Sequence, residues 1–157
     1  MTMDKSIETT PGLMPYIVVK GAAQAIAFFA DAFGAEELFR LSEGSGKIGH
    51  AELKIAGSTL MLADEYPDFG ALSPAAVGGT PVTLHLYVAD VDATFARAIA
   101  LGATELRKVQ DQFFGDRSGM LLDPFGHKWT VATRVEQVSP DEMQRRWNQA
   151  MEAGETA

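Results

Sequence analysis

The sequence contains no cysteine, which excludes disulfides, thiolate nucleophiles and thiolate metal sites. Cations are scarce: 13 Lys and Arg stand against 21 Asp and Glu, for a net charge of −8. They are also scattered, with no run longer than two. No basic patch exists for a phosphate backbone, so no nucleic-acid partner is expected. No apolar run approaches the length that spans a bilayer, and no membrane partner is expected either. The first ten residues, MTMDKSIETT, hold charges but no apolar centre, unlike a signal peptide. Residues 1–11 are expected to form a flexible arm, and the default location is cytoplasmic. No glycine-rich loop follows a strand as a nucleotide-type cofactor requires, so no cofactor is expected. What remains is ordinary for a globular chain: 157 residues, 46% hydrophobic and 22% charged. That length suits one domain burying roughly 70% of its unfolded surface.

The chain says one thing twice. Tyr16-Ile17-Val18-Val19 reads as a strand, and so does Leu84-His85-Leu86-Tyr87-Val88. Each runs into a segment of helical period, with Ala22, Ile26, Phe29, Ala30 and Phe33 on one face in the first copy. Val91, Phe95, Ala98 and Ile99 share a face in the second. Each helix stops at glycine-alanine, Gly34-Ala35 and Gly102-Ala103, where a left-handed cap is expected. A hairpin over Leu53–Leu62 with a glycine turn matches Leu122–Val131. Gly57 and Gly126 stand 69 apart, as do Val19 and Val88, so one register relates both ends of the two units. The spacing predicts a single domain over 12–135, made of repeats 12–64 and 82–135. A Pro/Gly/Ala-rich loop, 65–81, joins them. A C-terminal helix and tail, 136–157, follow. Ser139 is the N-cap, Pro140 is at N1, Glu142 closes a capping box, and Met143, Trp147, Ala150 and Met151 form an apolar stripe.

Paired units of this pattern resemble the vicinal oxygen chelate superfamily of glyoxalases, extradiol dioxygenases and bleomycin-resistance proteins. The resemblance covers about residues 13–134. Gly49-His50-Ala51-Glu52-Leu53, Leu60-Met61-Leu62-Ala63-Asp64, Phe114-Gly115-Asp116-Arg117 and Asp123-Pro124-Phe125-Gly126-His127-Lys128-Trp129 are similar to the PhnB-like branch, labelled 3-demethylubiquinone methyltransferase-like. The fold implied is α+β: two βαβββ repeats forming a cupped eight-stranded mixed sheet, plus a C-terminal helix. The resemblance also implies a small-molecule ligand in the cup and a homodimer.

Side chains alternate along a strand, so the faces can be sorted. Ile17, Val19, Ala51, Leu53, Ile55, Leu60, Leu62, Leu84, Leu86 and Val88 claim the helix side. The candidate ligand-binding face then collects Met14, Tyr16, Met61, Thr83, His85, Tyr87, Met120 and Thr130, together with His50 and Glu52. His127 shares the parity of Trp129 and Val131 and is expected to point away from the cup, in a structural role or exposed. The positions that the resemblance assigns to metal ligands are Met14, Met61, Thr83 and Thr130. None offers the imidazole or carboxylate a divalent ion wants, so no metal is expected there. A displaced site of His50, Glu52 and His85 stays open as an alternative. The candidate catalytic pair is Glu52 and His50, two apart on one strand. They can move a proton as acid and base, or simply satisfy one another as a polar pair. His85 either orients a ligand or fills the cup beside Tyr87. Asp116 and Arg117 are expected at a hairpin, as a solvated turn, an ion pair or an anion-binding rim. Binding without the family metal is one functional reading; a lyase or isomerase using Glu52 and His50 is the other.

Overall fold

The computed structural model describes Thr9 and residues 11–154. The arm expected over 1–11 lies, apart from Thr9 and Pro11, outside the described residues. Strand β1 (Tyr16–Val19) leads into helix α1 (Ala22–Phe33), followed by β2 (Glu36–Ser42), β3 (Ile48–Ile55) and β4 (Ser58–Asp64). The joining segment carries a 3₁₀ turn at Pro67–Phe69 and a single helical turn, α2 (Pro74–Val77). The pattern then repeats as β5 (Thr83–Tyr87), α3 (Val91–Ala100), β6 (Thr104–Asp111), β7 (Asp116–Leu122) and β8 (Lys128–Arg134), before helix α4 (Pro140–Glu152).

The eight strands divide into two four-stranded mixed sheets of the same order, β1-β4-β3-β2 and β5-β8-β7-β6. In each, the outer strand that opens the unit pairs in parallel with the strand that closes it. The fold is therefore the α+β repeat expected, with four helices. The physical cause of the repetition is visible at the helix starts. Ala22 N–H donates to Asp64 Oδ1 at 2.8 Å, and Val91 N–H donates to Thr133 Oγ1 at 3.0 Å. Both donors and both acceptors stand 69 apart. In each unit the end of the closing strand satisfies an orphan N–H of the helix beside it.

The spacing is 68 rather than 69 from the helix ends, Gly34 and Gly102, through the third strand of each unit. Met61 lies opposite Glu52, and Thr130 lies opposite Met120, so β7 follows β3 by 68 rather than 69. The first hairpin turns through Ala56 and Gly57, whose φ of 47° and 83° suit a two-residue turn between right-twisted strands. The second closes with Asp123 N–H donating to His127 O at 2.8 Å, around Pro124, Phe125 and Gly126. One extra residue in that turn restores the spacing of 69 in the closing strand and leaves β7 one residue out of step with it. In consequence His50 and Glu52 of the first unit correspond to Ser118 and Met120 of the second.

Alternation sorts the faces as expected: Ala51, Leu53, Ile55, Leu60 and Leu62 are buried under the helices with Phe29, Leu121, Trp129 and Val131. The units meet through aromatic rings, with Phe33 at 4.9 Å and Phe29 at 5.4 Å from the Trp129 ring. Helix α4 is capped by Ser139 Oγ, which accepts from Glu142 N–H at 3.2 Å. The capping box is not completed, because the Glu142 carboxylate turns to the Arg145 and Arg146 guanidiniums. No helix among the described residues is long and apolar enough to cross a membrane.

Candidate functional site

The outward face of the first sheet carries a hydrogen-bonded chain of three side chains. β3 puts His50 and Glu52 on the same face because Ala51 and Leu53, fully buried, hold the other face against the core. His50 Nε2 meets Glu52 Oε2 at 2.8 Å, and His50 Nδ1 meets the Tyr16 hydroxyl at 2.9 Å. A carboxylate only accepts, so Nε2–H donates to Glu52 and Nδ1 is left to accept from the Tyr16 O–H. Phe39 and Tyr16 flank the imidazole, with ring centroids 5.6 and 5.3 Å away. Met61, directly opposite both Tyr16 and Glu52, supplies an apolar floor. Desolvation, and secondly the negative Glu52, push the Tyr16 hydroxyl above its ordinary range and keep its proton in place. Chemically, this is an oriented imidazole bracketed by a carboxylate and a phenol: it can hold a polar group or pass a proton. Beside it opens a hollow of ≈ 610 Å³, lined by Tyr16, Val18, Gly49, Tyr66 and Phe69 among others.

Thr83, His85, Tyr87, Met120 and Thr130 stand together on the second sheet rather than with the His50 chain. His85 packs beside Tyr87 at 4.8 Å between ring centroids and borders a separate hollow of ≈ 380 Å³. Among the described residues no three His, Asp or Glu side chains converge, so one chain does not assemble the displaced triad of His50, Glu52 and His85. Met14 precedes β1 and belongs to no strand. The donors carried over from the superfamily remain thioethers and hydroxyls, Met14, Met61, Thr83 and Thr130. They do not fit a divalent ion that wants imidazole and carboxylate.

Three further residues singled out by the sequence have partners that the sequence does not show. Asp116 closes the β6–β7 hairpin as expected, its carbonyl accepting from Gln112 N–H at 2.7 Å, but its side chain is buried rather than solvated and accepts from the Tyr87 hydroxyl at 2.7 Å and from Arg134 Nε at 2.5 Å. Its neighbour Arg117 points to the opposite face and pairs with Asp92 and Asp111. Both are ion-paired, but not to each other. His127 has the structural role expected, with a partner that parity does not reveal. Its Nε2 meets Val18 O at 2.9 Å, on the edge of β1 that no strand covers, and so joins the two units. Phe39, Tyr66, Phe69 and Arg107 escaped the sequence reading. Phe39 was recoverable, since it pairs with Glu52 across β2 and β3. Tyr66 and Phe69 sit in the segment taken for a plain connector.

A family model described as glyoxalase/bleomycin resistance protein/dioxygenase superfamily matches residues 11–131. The chain belongs to that superfamily. It is 46% identical over 142 residues to the uncharacterised protein Mb0911c of Mycobacterium bovis, covering 88% of this chain and 93% of the relative. It is 30% identical to protein YjdN of Escherichia coli, over 76% of this chain and 92% of that one. Among solved structures, the crystal structure of TioX from Micromonospora sp. ML1 superposes with a TM-score of 0.63 at 25% identity, covering 80% of this chain and 99% of that one. A PhnB protein from Bacillus cereus superposes with a TM-score of 0.62 at 18% identity, over 78% and 99% of the two chains, a likeness of fold.

Proposed function

We propose that this member of the superfamily binds a small, partly apolar organic molecule on the cupped face of its first unit, without the superfamily's metal. The observation that carries the reading is the Tyr16–His50–Glu52 chain: polar groups fixed in orientation, among aromatic and methionine side chains, beside an open hollow. Met14, Met61, Thr83, His85, Tyr87, Met120 and Thr130 would add contacts from both sheets once a partner subunit faces them. Native mass spectrometry of protein purified without added ligand is expected to show a retained small molecule. Glu52→Gln, which removes a charge-assisted acceptor, should weaken retention roughly tenfold. Retention unchanged in both Glu52→Gln and His50→Ala refutes the site. Elemental analysis is expected to give less than about one-tenth of an equivalent of transition metal, since such ions need imidazole or carboxylate donors.

A second reading, acid–base catalysis by Glu52 and His50, is favoured by one feature: the imidazole is already hydrogen-bonded on both nitrogens. In that case turnover should fall about 10²-fold in Glu52→Gln with binding intact. A homodimer in the cytoplasm completes the proposal. Tyr16 (51% exposed) and Tyr87 (46% exposed) leave both cupped faces open, and Trp147 on α4 remains 42% exposed. Light scattering at micromolar concentration is expected to give twice the chain mass; a monomer mass would count against it.

A further inference from the structure

We propose that Arg107 anchors the anionic group of a ligand on the second sheet. This extends the small-molecule reading above by naming the ligand's charge. The chain has seven arginines, and five of them, Arg40, Arg117, Arg134, Arg145 and Arg146, are ion-paired in the structure. Arg97 donates to the backbone carbonyl of Asp31. Arg107 is different. A guanidinium has five N–H donors, and the only hydrogen bond this one makes among the described residues is from Nη2 to Ser118 Oγ at 3.0 Å. Its Nε and Nη1 are buried and have no acceptor. Among the described residues no carboxylate forms an ion pair with this cation. Burial alone acts on it, lowering its proton affinity, with no carboxylate to oppose the effect. A half-buried cation without a counter-charge is costly in a ligand-free state, and an incoming oxyanion removes that cost.

Its position fits the role. Arg107 on β6 lies opposite Met120 on β7, which lies opposite Thr130 on β8, which lies opposite His85 on β5. All four therefore share the outward face of the sheet. Three strand spacings separate Arg107 from His85, roughly 14 Å at about 4.8 Å each. A drug-sized molecule can lie across Met120 and Thr130 with its anionic end at Arg107. The nearby acid, Asp116, is already engaged by Arg134 and Tyr87 and does not compete. The flexible stem of Arg107 lets the head turn from its unpaired pose onto the ligand. Planar carboxylate and tetrahedral phosphoryl or phosphonyl groups both match the donor fork.

The test is a titration of ¹⁵N-labelled protein with benzoate, phenylphosphonate and neutral benzamide, following the Arg107 Nε–H resonance. That signal is assigned by its loss in Arg107→Met. Both anions should move it saturably, while benzamide leaves it in place. Arg107→Met should weaken both affinities at least about tenfold, and Arg107→Lys should retain part of the binding. Tighter binding of benzoate assigns a carboxylate ligand; tighter binding of phenylphosphonate assigns a phosphoryl-type one. A resonance unmoved by either anion at about 50 mM, far above the millimolar range of a single charge-assisted contact, overturns the proposal. Undiminished binding in Arg107→Met also overturns it. So does a lowered Tm in that variant with anion affinity intact, because it marks a purely structural arginine. The Tyr16 and His50 resonances report the first unit separately: if ligands move those and not Arg107, the small-molecule reading stands and this one fails. If Arg107 moves and they do not, the reverse holds.

Discussion

Replacing Asp123 by asparagine tests the chemistry of the second hairpin, on which the one-residue slip between the two units depends. The Asp123 carboxylate is 2% exposed and accepts three N–H groups. Oδ1 takes Phe125 N–H at 2.9 Å and His127 N–H at 3.0 Å, while Oδ2 takes the Trp129 indole N–H at 2.8 Å. An amide of the same shape has one oxygen. If that oxygen keeps the two backbone donors, its NH₂ faces the indole N–H, donor against donor. A buried donor left without an acceptor costs about 1–3 kcal/mol, and relief of the buried charge offsets part of this. The expected net loss is about 2 kcal/mol, or roughly 4–8 °C in Tm for a chain of this size. Thermal unfolding followed by circular dichroism measures it directly. The conflict should vanish in Trp129→Phe, where no indole donor remains, so Asp123→Asn should cost clearly less in that background. Equal costs in the two backgrounds, or an asparagine variant as stable as the parent, would refute the reasoning. The pH dependence follows with its own sign. Desolvation raises the Asp123 carboxyl above its ordinary value despite three hydrogen bonds that lower it. A raised folded pKa means that protonation favours the folded state. This contribution is fully present below the ordinary carboxylate pKa and is lost as pH rises through the folded value.

Other changes probe separate parts of the molecule. His127→Ala removes the imidazole contact to Val18 O and should cost about 1 kcal/mol in chemical denaturation while leaving ligand retention unchanged; lost retention would return His127 to the site. Gly119→Ala should destabilise by about 1–3 kcal/mol, since a Cβ there would lie 2.8 Å from Phe95 Cε2 and 2.9 Å from Val109 Cγ2; an unchanged Tm would show that these side chains move aside. Glu142 is held down to about 2 by the Arg145 and Arg146 guanidiniums. Its contribution to α4 should be present above the ordinary glutamate pKa and be lost as pH falls toward 2, and a carboxyl ¹³C titration with a midpoint near 4.5, the ordinary value, would disprove the pairing.

Local chemistry made much of this protein readable in one dimension. Glycine at Gly34 and Gly102 ends each helix because no side chain opposes a positive φ there, 70° and 114° in the structure. Alternation set His50 and Glu52 against Ala51 and Leu53 because a strand has a period of two. The spacing of 69 exposed the duplicated unit, since the same strand end must satisfy the same helix start in both copies. Other features had no local signature. The slip between β3 and β7 depends on which residues of a turn pair across it, Asp123 with His127, and no periodicity records that. The burial of Asp116, its engagement by Tyr87 and Arg134, and the reach of His127 to Val18 rest on contacts between residues 18 to 109 positions apart. The isolation of Arg107 is of the same kind: whether a cation has a partner is decided by what the folded sheets bring near it. Residue types and spacing determined the two units and their faces; only tertiary packing, within the second unit for Asp116 and Arg107 and between the units for His127, decided which polar groups are satisfied and which still want a partner.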